Sequence, residues 1–109
     1  MRSFQVTPRV LIYNEASSTH TIIEINGRDR PGLLHDVTMA LTRLNLQIAS
    51  AKISTYGHKV IDIFYVKDIF GLKVVETTKH KRIRAALLAV LGDAAQREKR
   101  ESKKKAAAE

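Results

Sequence analysis

The stretch HTIIEINGRDRPGLLHDVTMALTRLN (residues 20–45) decides the fold, because its hydrophobic pattern changes period in the middle. Residues 20–25 are β-branched and rich in isoleucine, which is typical of a strand. Residues 26–32 are dense in turn-forming side chains. From Pro31 to Asn45 apolar residues recur at steps of three and four, which predicts an amphipathic helix that stops at Asn45. The stretch therefore encodes a strand, a tight turn and a helix.

The rest of the chain supplies three further strands and a second helix. Residues 9–14, 46–55 and 59–67 have strand character, and residues 79–92 form an amphipathic helix that we expect Gly92 to end. The order ββαββα predicts an α+β, ferredoxin-like fold: a four-stranded antiparallel sheet with two helices on one face. Because the segment after Gly92 is too polar for a strand, the N-terminal strand is predicted to fill the vacant edge position.

Composition and length describe one small globular domain. The 109 residues are 44% hydrophobic and contain no cysteine, which excludes disulfides, thiolate metal sites and cysteine nucleophiles. We expect residues 1–92 to form the domain, with a core over about residues 9–92, and residues 93–109 to form a polar basic tail that is helical or disordered. The chain has no apolar run of about 20 residues and no secretory signal, so we expect no membrane segment and a cytoplasmic protein.

The net charge of +8 raises nucleic-acid binding as an alternative. RNA-recognition domains share the ferredoxin-like plan, and Phe64 and Tyr65 resemble their stacking aromatic residues. Adjacent strand residues point to opposite faces, however, so only one of the two rings can serve a given face. The Lys/Arg-Gly-aromatic lead of that motif is also missing, which makes nucleic acid an unfavoured partner. A basic helix face over residues 79–84 is compatible with phosphate contact or with simple solvation.

The strand at residues 59–67 has apolar side chains on both of its faces. Val60, Phe64 and Val66 share one face with Asp62, and the other face carries Ile61, Ile63 and Tyr65. If both helices cover one side of the sheet, the second side presents apolar surface that monomers seldom leave exposed. Either another domain or another copy covers that side, or it holds ordinary scattered surface residues.

Catalytic and metal patterns are missing, and the turn from Asn26 to Leu34 is the distinctive feature. The histidines lack metal-site spacing, and the two glycines of the turn lack the Lys and Ser/Thr of a phosphate loop. A helix N-terminus offers free amides and a positive dipole end, Gly32 permits close approach, and Asp29 can hold an ammonium group. The turn therefore suits a free amino acid. The alternative is that Asp29 only caps the helix.

The residues RDRPGLL (28–34) after a β-branched strand resemble the signature of ACT domains, which sense small molecules. Together with the STYG turn (54–57) and the DIFYV strand (62–66), they resemble the C-terminal ACT domain of bacterial bifunctional uridylyltransferase/uridylyl-removing enzymes over roughly residues 5–92. The resemblance implies a regulatory segment without activity of its own, whose parent enzymes modify the PII signal protein. It implies no cofactor here, since magnesium belongs to the catalytic domains of the family.

The resemblance also implies glutamine, or another free amino acid, as the ligand. The site residues that it suggests are Asn26 and Asp29 through their side chains and Gly32, Leu33 and Leu34 through their amides. ACT domains commonly associate side by side, so a second ACT domain or a homodimer partner is expected along residues 46–55, with Ser50 and Lys52 facing ligand or partner. A dimerisation module without ligand is the remaining alternative.

Overall fold

The computed structural model describes residues 6–108, with side chains described up to Gly92, and contains two layers, a sheet and a pair of helices. Its four strands form one antiparallel sheet in the order β1-β2-β4-β3. The predicted fold is confirmed, and the N-terminal strand occupies an edge beside β2, as expected. The elements are β1 Arg9–Tyr13, β2 Thr21–Arg28, α1 Leu33–Arg43, β3 Gln47–Tyr56, β4 Lys59–Lys67 and α2 Thr77–Ala108.

Helix α1 ends at Arg43, and Asn45, the predicted stop, is the residue at which the chain leaves the helical conformation. This residue adopts a left-handed conformation with φ of 63°. The Leu46 amide donates to the Leu41 carbonyl at 3.1 Å, and the Asn45 amide donates to Thr42 at 2.9 Å. These two bonds satisfy carbonyls that the helix end leaves free, and they turn the chain directly into β3.

The hydrophobic core lies between the helices and one face of the sheet. Alternate residues of the central strands are fully buried, among them Ile23 and Ile25 of β2 and Phe64 of β4. The cross-strand register places side chains of four strands in rows, because paired residues of an antiparallel sheet share a face. One of these rows crosses the whole sheet on the helix side and consists of Val10, Ile25, Asp62 and Ile53.

The opposite face of the sheet has no helix among residues 6–108. It carries Ile61, Ile63 and Tyr65 of β4, all half-buried, beside the buried Ile22 of β2. The assignment of these residues to one face is therefore confirmed. Phe64 lies on the other face, inside the core, and is not accessible for stacking on a base.

Helix α2 is longer than the sequence indicates. It begins at Thr77 rather than residue 79, and it continues to Ala108, so the expected end at Gly92 is wrong. A single glycine costs only about 1 kcal/mol in a helix, and the Ala-, Lys-, Arg- and Glu-rich residues that follow favour helix. The last described side chain that contacts the sheet is Leu91, which leaves no room for a Cβ at Gly27. Neither helix of the described chain is long and apolar enough to cross a membrane.

Candidate functional site

The turn after β2 lies at the end of the sheet where the β3–β4 hairpin closes. The amide of Asp29 donates to the carbonyl of His58 at 2.8 Å, which ties the turn to that hairpin. Gly57 forms the hairpin bend with φ of 61°, as predicted. The start of α1, the end of β2 and the bend of the hairpin therefore meet at one end of the domain.

The start of α1 differs from the prediction. The helix begins at Leu33, and Gly32 is its N-cap, in a left-handed conformation with φ of 79°. No side chain caps the helix, so the capping role considered for Asp29 is wrong. The backbone of Asp29 is held by His58, three residues before the cap, and its exposed carboxylate has no protein partner among the described residues.

Arg30 occupies the space beside this helix start, a feature that sequence reasoning missed. Its Nη2 donates to the Asp36 carboxylate at 2.7 Å, and its Nη1 donates to the Pro31 carbonyl at 3.1 Å. The Nε atom is buried without a partner among the described residues. The sequence signal for this ion pair was an arginine and an aspartate six positions apart, on either side of the predicted start of the helix.

The three predicted backbone donors are not equivalent. The Leu33 amide donates to the Arg30 carbonyl at 3.3 Å, and its side chain is buried in the core. Within the described chain, the amides of Gly32 and Leu34 have no acceptor. These two amides therefore stay available at the positive end of the α1 dipole, next to the free carboxylate of Asp29.

The remaining predicted site residues lie on the helix-free face. Asn26 pairs with Ile61, is nearly buried, and donates from Nδ2 to the Glu24 carboxylate at 3.1 Å. Ser50 and Lys52 lie on β3, both exposed and on that same face. The structure thus brings Asp29, Gly32 and Leu34 together at the turn. It separates the Asn26, Ser50 and Lys52 side chains from them by the thickness of the sheet.

Asp62 is a buried carboxylate on the helix side, close to the turn. It is 2% exposed, and its Oδ1 accepts a hydrogen bond from the Ser54 amide at 3.3 Å. Burial raises the pKa of Asp62 above its usual value, the Ser54 bond opposes this, and the nearby Asp29 charge adds to it. In the sequence, Asp62 alternates with the apolar residues Val60 and Phe64, and this alternation was the signal that a charged side chain faces the core.

The donor set at this end suits an organic zwitterion better than a metal ion. No group of three or more His, Asp or Glu side chains that could hold a metal comes together in the described part of the chain. One exposed carboxylate and two free amides instead match an ammonium and a carboxylate group.

Comparison with known sequences identifies the fold family. The profile of the ACR family N-terminal ACT domain matches residues 16–91. The chain is an ACT domain. It is 67% identical over 92 residues to the bifunctional uridylyltransferase/uridylyl-removing enzyme of Azospirillum brasilense, a match over 84% of this chain and 10% of that enzyme. It is 55% identical over 94 residues to the enzyme of the same name from Gluconobacter oxydans, over 86% of this chain and 10% of that one.

The ACT domain also resembles a solved structure. A crystal structure of an unknown protein from Galdieria sulphuraria superposes with a TM-score of 0.52 and 26% identity, over 64% of this chain and 37% of that one. The domain spans about a tenth of the length of the curated relatives that it matches. The likeness to those enzymes therefore concerns one of their domains.

Proposed function

We propose that this ACT domain is the amino-acid sensor of an enzyme like the uridylyltransferase/uridylyl-removing enzymes that it resembles, and that glutamine is its ligand. The single observation that carries the proposal is the turn at the start of α1. There an exposed, unpaired carboxylate of Asp29 stands beside the acceptor-free amides of Gly32 and Leu34.

The chemistry of the turn explains why the ligand is a free amino acid. An α-ammonium needs an anion, and Asp29 supplies one that no protein cation neutralises within the described residues. An α-carboxylate needs donors, and the start of α1 supplies amides together with a favourable dipole. Gly32 has no side chain to obstruct them. Leu33 acts through its core packing, which fixes the position of these donors.

The open strand β3 supports the second part of the proposal, which concerns regulation. A ligand shifts a conformational equilibrium only if it binds one state more tightly than another. In this proposal a second ACT domain, in the same enzyme or in another subunit, pairs along β3, where Ser50 and Lys52 are exposed. Glutamine then favours one arrangement of the two domains, and the enzyme changes its action on the PII protein accordingly. The domain itself carries no catalytic role.

Isothermal titration calorimetry of the chain with glutamine tests the proposal. Asp29→Asn preserves shape and removes the charge, and we expect it to weaken binding by about tenfold or more, because a charged hydrogen bond contributes about 1.5–3 kcal/mol. Glu76→Gln is the matched control, since Glu76 is an exposed carboxylate at the opposite end of the sheet. Equal affinity in Asp29→Asn and the parent chain would remove Asp29 from the site.

The outcome of an amino-acid screen also separates the alternatives. Ligand binding raises the melting temperature by an amount that grows with ligand excess. We expect glutamine to raise it and glutamate or leucine to raise it less. A chain that no amino acid stabilises would support a dimerisation module without ligand and would contradict the sensor.

A further inference from the structure

Asp62 is a charged side chain in a part of the sheet that is otherwise apolar. It is 2% exposed, and its neighbours along the helix side of β4 are the buried Val60 and Phe64. Its cross-strand neighbours on that side are Ile25, which is fully buried, and Ile53. A carboxylate in such surroundings needs hydrogen-bond donors or a cation to offset the loss of water.

The described chain satisfies Asp62 only in part. Its Oδ1 accepts one hydrogen bond, from the Ser54 amide at 3.3 Å, which is long for a bond of this kind. Its Oδ2 has no donor within the described residues, and the carboxylate forms no ion pair there. A carboxylate can accept about four hydrogen bonds, so most of this capacity is unused. Charged residues that are buried without full compensation are typical of functional sites.

Asp62 lies on the same side of the sheet as the start of α1 and near the same end. It is in register with Ile25 of β2, and Asp29 follows Ile25 by four residues. At about 3.3 Å per residue, Asp62 and Asp29 are therefore at most roughly 13 Å apart along the strand direction. The charge of Asp29 acts on Asp62 across this distance, since it contributes to the raised pKa of Asp62.

The distance between the two carboxylates matches the length of glutamine. In an extended glutamine, five bonds of about 1.5 Å or less place the side-chain amide nitrogen roughly 6 Å from the ammonium nitrogen. A hydrogen bond of about 2.9 Å at each end extends this reach to roughly 12 Å. The ammonium and the α-carboxylate share one carbon atom, so both bind at the turn, where Asp29 lies beside the free amides of Gly32 and Leu34. The side chain is the part of the ligand that extends to Asp62.

We propose that Asp62 recognises the side chain of the ligand, and that its carboxylate accepts a hydrogen bond from the side-chain amide of glutamine. A neutral amide enters apolar surroundings at a lower cost than a charged group does. Glutamate would bring a second carboxylate to the same place, where two like charges repel each other. Asp62 is therefore the residue that sets the preference for glutamine over glutamate. The inference deepens the proposed function and rests on it.

Calorimetry with glutamine and glutamate, on the parent chain and two variants, tests this role. Asp62→Asn keeps the shape and replaces one acceptor with a donor, so it should weaken glutamine binding and strengthen glutamate binding. We expect the preference for glutamine to fall by about tenfold or more. Asp29→Asn is the matched control, because it removes the partner of the ammonium and should weaken both ligands by a similar factor. Thermal melts of both variants check that they fold.

The outcomes separate this inference from the sensor. A parent that binds glutamine and glutamate equally, or an unchanged preference in Asp62→Asn, overturns the role of Asp62 and leaves the sensor intact. An equal loss of both ligands in Asp62→Asn also overturns it, because the residue would then only maintain the shape of the site. A change of preference in Asp29→Asn instead would assign the side chain to Asp29. A parent that binds neither ligand overturns both proposals.

Carbon-13 NMR of the aspartate carboxyl groups tests the contact directly in the parent chain. Asp62→Asn and Asp29→Asn assign the two signals, since each variant removes one of them. Norvaline is the comparison ligand, because it has the ammonium and the α-carboxylate of an amino acid but an apolar side chain. We expect glutamine to shift both signals and norvaline to shift only that of Asp29. An Asp62 signal that stays in place at saturating glutamine, or that moves equally with norvaline, refutes the inference.

Discussion

The two edges of the sheet are treated in opposite ways. The edge strand β1 is short, and α2 packs over it: Val10 is 6% exposed, and its carbonyl accepts a hydrogen bond from Nε of Arg84 at 3.4 Å. The edge strand β3 is twice as long, and most of it is exposed. Val10 and Ile53 even belong to the same cross-sheet row, at its two ends.

This difference indicates that the covered β1 edge contributes to folding stability, whereas the open β3 edge is available for pairing. A protein that needs only to be stable covers or shortens both edges, because open strands invite association. Here a helix protects one edge, and the other edge has only Lys52 and a bulge between Ile48 and Ser50 as obstacles to pairing. The open edge also ends beside the turn at the start of α1, so under our proposal pairing along β3 and ligand binding influence each other.

The largest expected difference between the two edges comes from truncating, one at a time, the two side chains at the ends of the shared row, Val10 and Ile53. Val10→Ala should lower the free energy of unfolding by about 2 kcal/mol, because it leaves a cavity under α2. Ile53→Ala should cost under about 1 kcal/mol in the monomer, since the side chain is already half in water, and should weaken association instead. Chemical denaturation and sedimentation velocity on both variants measure the two effects. Equal stability losses would mean that β3 is as much a part of the core as β1.

Asp62, in the middle of that row, predicts a pH dependence. Its folded pKa is raised by burial, so between its unfolded pKa, about 4, and its folded pKa the folded state binds more protons than the unfolded state. The free energy of unfolding contributed by this group therefore falls as pH rises through that interval. Asp62→Asn should be more stable than the parent at pH 7 and equal to it below about pH 4.

Denaturation curves across pH measure this difference, with the exposed Glu76→Gln as the control. If the difference in free energy of unfolding between Asp62→Asn and the parent stays constant with pH, the Asp62 carboxylate is not the titrating group. Since Asp62 neighbours Ile53, pairing along β3 should widen the gap, because a covered edge buries the carboxylate further.

The smallest expected effect concerns the bond that covers the β1 edge. Arg84→Gln removes the hydrogen bond to Val10, which is long, and should lower the free energy of unfolding by about 0.5–1 kcal/mol. Association should not change, because α2 still lies over β1. A new, larger oligomer in this variant would show that Arg84 also prevents pairing at that edge.

Much of the fold follows from local patterns in the sequence. The bounds of β4, Lys59–Lys67, agree with prediction because its apolar residues sit between two turns. The edge position of β1 follows from the polar tail, and the stop at Asn45 follows from its tolerance of a left-handed backbone. These features depend on neighbours in sequence, which a single chain displays directly.

The candidate site was less predictable because it depends on contacts between distant segments. The hydrogen bond from the Asp29 amide to the His58 carbonyl holds Asp29 away from the helix start, and no local sequence pattern reveals this bond. The ion pair of Arg30 with Asp36 has the same origin. The register of Asn26 with Ile61 places its side chain on the face away from α1, whereas the sequence analysis grouped it with the turn residues. The length of α2 past Gly92 was misjudged because one glycine was given too much weight.

Two-dimensional amide NMR of the chain during a glutamine titration tests the central claim most directly. We expect the amide signals of Gly32 and Leu34 to shift most, followed by those of Asp29 and the end of β3, while the signals of β1, at the covered edge, stay unchanged. Signals at the turn that do not move at saturating glutamine, or shifts centred on β1 or the helix-free face, would contradict it.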